Sequence, residues 1–232
     1  MKLPQKETII LNLIAQIFEQ IIQDNLTLSI RAKSRAGAEI SDFLEDKFVE
    51  IAENKEGVIK VGGAPKGQTK SPFDIYLIYE FYPTEKELIW IDIKATNVVY
   101  SNSNPDMGTY KKFLDFFKQG HYFAFYCHFA YLPEGEGLKF VNTPQGELFN
   151  LFLLKDIHHS FRIQPNNQLQ VNYAAPPEPR SLIDFINLLQ TKLQESLIRR
   201  QKIIERELNK LDNEFEEIKQ TVRKSLSREF HD

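Results

Sequence analysis

One cysteine, Cys127, is all the thiol this chain of 232 residues carries. That excludes an intramolecular disulfide framework and fits a reducing, cytoplasmic setting. Bulk basicity is missing too: the net charge is −3 and the pI near 6.0. A uniformly positive surface is thereby ruled out, while a local basic patch remains open. Glycine is scarce at 10 residues. The stretch "KVGGAPKGQTK" lacks the GK[ST] ending with which a P-loop cradles phosphate. Long apolar runs are absent. The longest, "YFAFYCHFAYL", falls well short of the roughly 20 residues that a bilayer-spanning helix needs. Polar residues at helical spacing break up the N-terminal "MKLPQKETIILNLIAQIFEQIIQDN", so it does not read as a signal peptide. No membrane partner is expected.

What is present is 42% apolar residues, enough for one sizeable domain with a real core. Residues 5–24 read as an amphipathic helix with Ile10, Leu13, Ile14, Ile17 and Ile21 on one stripe. A basic connector leads to a second helix over 37–53, with Ile40, Phe43, Leu44, Phe48 and Ile51 inward. A short strand is expected at Val58–Val61, and a hairpin of strands at 73–82 and 87–95 joined by "PTEKE". A polar loop, "NVVYSNSNPDMG", precedes a helix over "DMGTYKKFLDFFKQ". Residues 121–132 read as a strand buried on both faces. Further strands are expected near 137–142 and 161–173, with "GELFNLFLLKDI" a short helix between them. The prolines of "AAPPEPRS" close the body as a stiff joint. The expected fold class is α/β (α+β): a mixed central β-sheet flanked by helices over residues 1–180, then a helical, coiled-coil-like segment over 181–232. In that segment Ile204, Leu208, Leu211, Phe215, Ile218 and Val222 step by 4, 3, 4, 3 and 4, the spacing of a coiled coil. A register break near Arg200 lets it dimerise or fold back. With no clear Gly or Pro turn, long helices that dimerise or embrace a ligand are the preferred reading.

The puzzle lies in "SPFDIYLIYEFYPTEKELIWIDIKAT", where Asp74, Asp92 and Lys94 interrupt apolar strands. Side chains alternate along a strand, so Asp92 and Lys94 share one face while Ile91 and Ile93 take the other. The hairpin turn brings Asp74 back beside that pair. Two carboxylates in close quarters are unfavourable without a cation between them. Lys94 can act as that cation in a structural salt bridge. One lysine cannot neutralise two acids, however, and a hard divalent ion such as Mg2+ suits an oxygen-rich, partly hydrated site. On that reading Asp74, Asp92 and the carbonyl of Ile93 hold the metal. Lys94 is left to orient or deprotonate an attacking water.

"SPFD", 17 residues and "DIK" together resemble the active-site signature of the PD-(D/E)XK nuclease superfamily. "IDIKAT" is especially similar to type II restriction endonucleases of the EcoRV and HincII kind. Gln68 in "GQTK" resembles the glutamine loop that approaches the minor groove in that branch. Thr96 stands where the branch has a phosphate-contacting threonine. The helix "RAGAEISDFLEDKF" resembles one that lends a glutamate to the metal site. Glu39 and Glu45 both qualify with Asp42 between them, and Glu39 is preferred because it flanks the buried face. The sequence departs from the strict motif in one respect: Phe73 separates Pro72 from Asp74. The resemblance implies a restriction-endonuclease-like core and a Mg2+ cofactor, with Mn2+ able to substitute. It also implies double-stranded DNA as substrate and cleavage to 5′-phosphate and 3′-hydroxyl ends. A homodimer cutting a short palindrome is expected, along with a cognate DNA methyltransferase that protects host DNA.

Gripping DNA needs cations that face phosphates. Acid-free clusters occur at Arg31, Lys33 and Arg35; at Lys60, Lys66 and Lys70; and at Lys111 with Lys112. Base reading needs paired donors and acceptors, which Asn97, Asn102, Ser103 and Asn104 offer directly after the "DIK" strand. The amide-rich "RIQPNNQLQVNY" is a second candidate, unranked against the first. The neighbours His158 and His159 point apart on a helix or strand and so should not share a metal. His121 and His128 read as core histidines. Two other readings stay open: a structure-selective or repair nuclease of the resolvase kind, and a non-catalytic DNA-binding or coiled-coil module in which the acids are structural.

Overall fold

The computed structural model describes residues 1–30, 36–64, 71–99 and 104–229. In chain order its elements are α1 (Leu3–Asp24), β1 (Thr27–Leu28), α2 (Gly37–Ala52), β2 (Val58–Gly63), β3 (Ile75–Tyr82), β4 (Glu85–Asn97) and β5 (Asp106–Thr109). There follow α3 (Tyr110–Lys118), β6 (Phe123–Glu134), β7 (Gly137–Val141), β8 (Phe149–Leu153), β9 (Arg162–Ile163), β10 (Gln168–Gln170) and α4 (Leu182–Glu229). The chain divides into two compact units, Met1–Leu188 and Leu189–Asp232.

In the first unit a seven-stranded mixed sheet runs in the order β1-β7-β6-β4-β3-β2, with β8 also paired to β6. β3 and β4 form the expected antiparallel hairpin, with Ile75 opposite Ile91. β4 and β6 run parallel, Asp92 beside Tyr126 and Lys94 beside His128. β6 is central: its first half pairs with β8 and its second half with β7. A strand paired on both edges and covered on both faces has no wet side, which is why Phe123 through Tyr131 are all buried and mostly apolar.

Alternation along β4 sorts its side chains. Ile89, Ile91 and Ile93 join the core beneath α1 and α2, together with Ile10, Ile14, Phe18 and Phe48. Phe18 anchors this layer, its ring 4.9 Å from that of Phe48 and 5.1 Å from that of Phe129. Truncating such a ring costs about 3–5 kcal/mol. On the other face Trp90 stacks on Phe116 of α3 at 3.9 Å. Asp92 and Lys94 follow Trp90 on that face. A second sheet, β5-β10-β9, lies in the same unit. The whole is a mixed α+β, restriction-endonuclease-like arrangement with a long C-terminal helix.

Three elements differ from expectation. The predicted helix over 146–157 is strand β8 followed by a 3-10 turn at Leu154–Asp156. A short apolar run fits either state, and here the free half-edge of β6 offers it backbone partners. The helix predicted from Asp106 starts at Tyr110, because Asp106–Thr109 pair with β10 instead. The two residues of β1 fall between the N-terminal helix and the basic connector, where no strand is expected, and pair with β7.

The second unit is α4 from Leu189 onward. Ile204, Leu208, Leu211, Phe215, Ile218 and Val222 are all exposed there, and a single helix runs through Arg200 without a turn. Among the described residues no helix is long and apolar enough to cross a membrane.

Candidate active site

The site is built from the open end of the β3–β4 hairpin. Asp74 immediately precedes β3, and its backbone is held on both sides. Its N–H donates to Ile91 O at 2.9 Å, and its carbonyl accepts from Ala64 N at 2.7 Å. Phe73, the residue that splits the expected motif, sits with its ring 5.0 Å from Trp90 and 6.0 Å from Tyr76. The inserted residue thus anchors the approach to Asp74 on the aromatic layer. Asp74 Oδ2 then accepts the Ile93 amide at 2.6 Å, fixing the carboxylate over β4.

Lys94 Nζ lies 2.9 Å from Asp92 Oδ1, 3.1 Å from the Ile93 carbonyl and 3.7 Å from Asp74 Oδ2. Asp92 is only 3% exposed. Burial, helped by the charge of Asp74, pushes its carboxyl up to about 7 against the opposing pull of Lys94. Burial works against the Lys94 ammonium, but Asp92 and Asp74 outweigh it and hold its pKa above the ordinary value. Lys94 is therefore a cation at neutral pH. Asp92 Oδ2 is buried without any hydrogen-bond partner, as is the hydroxyl of Tyr126 beside it.

These groups open onto a cleft of about 520 Å³. One wall carries Ser71, Asp74, Asp92 and Lys94; the other is β5 together with Asn166 and Gln168 of the β9–β10 hairpin. Asp106, on that second wall, has its carboxyl raised by partial burial, against a hydrogen bond from Gln170 and the charge of Lys94. Gly108 explains how closely the walls approach: a Cβ there would stand 2.8 Å from Pro72 Cα. A family model for the SwaI restriction endonuclease matches residues 2–211, which includes every one of these groups.

The chain belongs to the SwaI-like restriction endonuclease family. No curated protein matches it. Membership makes this SwaI-like chain a nuclease hydrolase with DNA as its substrate, of a class that generally uses divalent metal ions.

The donor set fits such an ion. Asp74, the unpartnered Oδ2 of Asp92 and the Ile93 carbonyl are all oxygen, as a hard divalent cation prefers. A buried acceptor left without a partner is costly unless something fills its place.

The other residues read from the sequence are scattered. Thr96 is buried, its hydroxyl 2.9 Å from His128 Nε2. Asn97 is buried and takes the Val99 amide at 2.9 Å. Neither lines the cleft, because β4 is covered at its far end. Glu39 is exposed in the first turn of α2. Glu45 instead lies against Gly63, where a Cβ would meet its Oε1 at 1.7 Å. Gly63 pairs with Ile75, next to Asp74, so Glu45 lies over the strand that flanks Asp74. Asn104 is exposed and receives Gln170 Nε2 on its carbonyl at 3.3 Å. Lys111 is exposed at the start of α3, and Lys60 Nζ lies 5.6 Å over the Tyr76 ring. Arg31, Lys33, Arg35, Lys66, Gln68, Lys70, Asn102 and Ser103 fall outside the described residues.

Sequence reasoning missed Asp106, whose only signal was an acid in the polar stretch after the "DIK" strand. It also misjudged the histidine pair. His158 stands just before a turn that His159 begins, neither in a helix or strand, and their rings lie 4.2 Å apart. Both face Glu178 Oε1, at 3.3 and 2.7 Å, a grouping able to hold a metal ion. Arg180 Nη2 takes the other oxygen at 2.6 Å, so the cluster also fastens the proline-rich joint to the body.

Proposed function

We propose that the chain is a Mg2+-dependent type II endonuclease that hydrolyses phosphodiester bonds of double-stranded DNA at a short palindromic site. The observation that carries this is the Asp74–Asp92–Lys94 constellation, with one buried carboxylate oxygen left unpartnered at the floor of a cleft. Asp74, Asp92 and the Ile93 carbonyl would hold the ion, with Mn2+ able to substitute. Bound there, it would supply Lewis-acid stabilisation of the charge that develops on the phosphate and its leaving oxygen.

The chain's own residues do the rest. Lys94, held by Asp92 at 2.9 Å, presents its ammonium to the phosphate and orients the attacking water. The water oxygen attacks phosphorus and the bond to the 3′ oxygen breaks. One proton of that water passes to solvent or a phosphate oxygen, and the departing 3′ oxygen takes a proton from solvent and leaves as a hydroxyl. The products are a 5′-phosphate and a 3′-hydroxyl. The Ile93 amide keeps Asp74 from rotating away during this exchange.

One such site cuts one strand, so a two-strand cut at a palindrome follows from a twofold homodimer. The exposed apolar stripe of α4 supports that reading. The finer likeness to the EcoRV and HincII branch rests on "IDIKAT" and on Gln68. Glu45, leaning over Gly63, is the better supported helix acid. A cognate methyltransferase is the expected companion in the cell.

Incubating the protein with a mapped plasmid in Mg2+ and in excess chelator tests the proposal, with the termini sequenced. Discrete fragments with 5′-phosphate ends, absent with chelator and absent in Asp92→Ala, are expected. Cutting of branched DNA in preference to linear duplex would instead favour a resolvase. No cutting of any substrate would leave a binding module.

A further inference from the structure

We propose that the β9–β10 hairpin is the base-reading element of this protein, with Asn166 and Gln168 addressing base edges of the duplex that occupies the cleft. This rests on the endonuclease reading above and specifies how its substrate is recognised.

Chemistry and placement agree on this hairpin. Between Arg162 and Gln170 the chain carries five amides: Gln164, Asn166, Asn167, Gln168 and Gln170. Alternation divides the ribbon into a rooted face and a presented one. Ile163, Leu169 and Val171 are buried at 2% exposure or less, while Arg162 and Asn166 are exposed. The amides therefore do not fill a core, and Asn166 and Gln168 line the same cleft as Asp74, Asp92 and Lys94.

The tip is braced by its own hydrogen bonds. Gln164 N donates to Gln168 O at 2.9 Å and Asn167 N to Gln164 O at 2.9 Å. Asn167 adopts a positive φ of 69° to close the turn, and its carbonyl takes the first amide of α3, Tyr110 N, at 3.1 Å. Asn166 Oδ1 accepts Gln168 N at 3.0 Å, and Asn166 Nδ2 donates to Gln168 Oε1. Of the two side chains, these bonds use one donor and one acceptor site of Asn166 and one acceptor site of Gln168. A second Asn166 donor and both Gln168 donors remain to be presented side by side.

Amides carry no net charge, so they contribute nothing to the counterion release that drives backbone binding. Among the described residues of this wall that line the cleft, the one charged side chain is acidic, Asp106. A phosphate-gripping surface would be built from lysine and arginine. Paired neutral donors and acceptors suit base edges instead. Gly108 against Pro72 fixes the ribbon's sheet to the segment carrying Asp74. The distance between the base pairs read and the bond cut is thereby set by backbone contact.

The test uses the full chain and a duplex bearing the site mapped from wild-type cleavage, beside a duplex with that site permuted. Affinities are measured by fluorescence anisotropy with Ca2+ in place of Mg2+ and the duplex checked to be intact afterwards, at several salt concentrations. In Asn166→Ala and Gln168→Ala the preference for the mapped site should fall roughly ten- to hundredfold each. Affinity for the permuted duplex, the salt slope and the melting temperature should stay at the wild-type values. Unchanged preference in both variants would overturn the inference and leave the endonuclease reading standing. Equal loss on both duplexes, or a shallower salt slope, would also overturn it by assigning the hairpin to the backbone. A wild-type protein that cuts DNA without site preference would remove both the restriction reading and this inference.

Discussion

Lys94 Nζ stands 2.9 Å from Asp92 Oδ1 but 3.7 Å from Asp74 Oδ2, closer to the buried acid than to the half-buried one. The ammonium therefore compensates the carboxylate that water cannot reach, and leaves Asp74 to accept the Ile93 amide. Lys94→Ala should keep Ca2+-supported DNA binding while single-turnover cleavage falls about 10²–10⁴-fold. Without metal it should also lose about 1–3 kcal/mol of stability, a buried-pair figure discounted for the partial exposure of Lys94. Asp92→Asn should abolish cutting yet melt no lower than wild type, because the neutral amide is cheaper to bury than a carboxylate. Wild-type turnover in either variant would remove the roles assigned here.

Gly108 is the hinge pin between the two walls of the cleft. A methyl group at that position would face Pro72 Cα at 2.8 Å, a backbone atom that cannot swing aside. Gly108→Ala should therefore displace β5 from the Asp74 segment by a few tenths of an ångström. The expected stability loss is about 1–3 kcal/mol, and turnover should fall well over tenfold through misplacement. Thermal melting beside cleavage rates measures both, and full activity would mean that the walls need not be in register.

The helix acids separate in the same assay. Glu45 packs on Gly63, one residue along the ladder from Asp74, whereas Glu39 is exposed at the start of α2. Glu45→Gln should lower the cleavage rate at limiting Mg2+ by roughly tenfold, and Glu39→Gln should leave it within a factor of two of wild type, as surface changes commonly do. The opposite ranking would restore Glu39 to the metal site.

His128 predicts an acid limit on stability. It is fully buried against Thr96, and burial lowers its pKa from 6.5 to about 4. Below pH 6.5 the unfolded chain takes up a proton that the folded chain refuses. The stability His128 contributes is thus complete above about 6.5 and drains away as the pH falls toward 4. The slope is about 1.4 kcal/mol per pH unit for one proton. Melting curves of wild type and His128→Gln across that window should diverge in slope by this amount. Parallel curves would mean that the imidazole titrates normally.

How much of this was legible beforehand follows from how local each feature is. Asp92 and Lys94 on one face of β4 follow from strand alternation, and Asp74 from the hairpin register, since Ile75 stands opposite Ile91. All three needed only neighbours within one supersecondary unit. The second wall needed more. Asn166 and Gln168 reach the cleft only because β10 pairs with β5, far away in sequence, and no periodicity announces that pairing. The apolar run of β8 satisfies both periods and so suggests a helix, and the edge of β6 that decides for a strand is a tertiary fact. The paired histidines were misjudged because a turn at residues 159–160 replaces the regular element that would have split them.

The apolar stripe of α4 carries the last prediction. Leu208, Leu211, Phe215 and Ile218 are each about half exposed, and their 3 and 4 spacing places them along one seam of the helix. Such a seam in water is a liability unless a partner covers it. A second copy of the chain is the partner that a two-strand cut requires. Sedimentation equilibrium should therefore give twice the chain mass of 27.1 kDa at micromolar concentration. Leu211→Glu with Phe215→Glu should return it to one chain mass, with helix content unchanged, since both positions are exposed. On supercoiled plasmid the monomeric variant should accumulate nicked circles before any linear product, because each active site then acts alone. Linear product at the wild-type rate from a monomeric variant would show that α4 is not the seam that pairs the two sites.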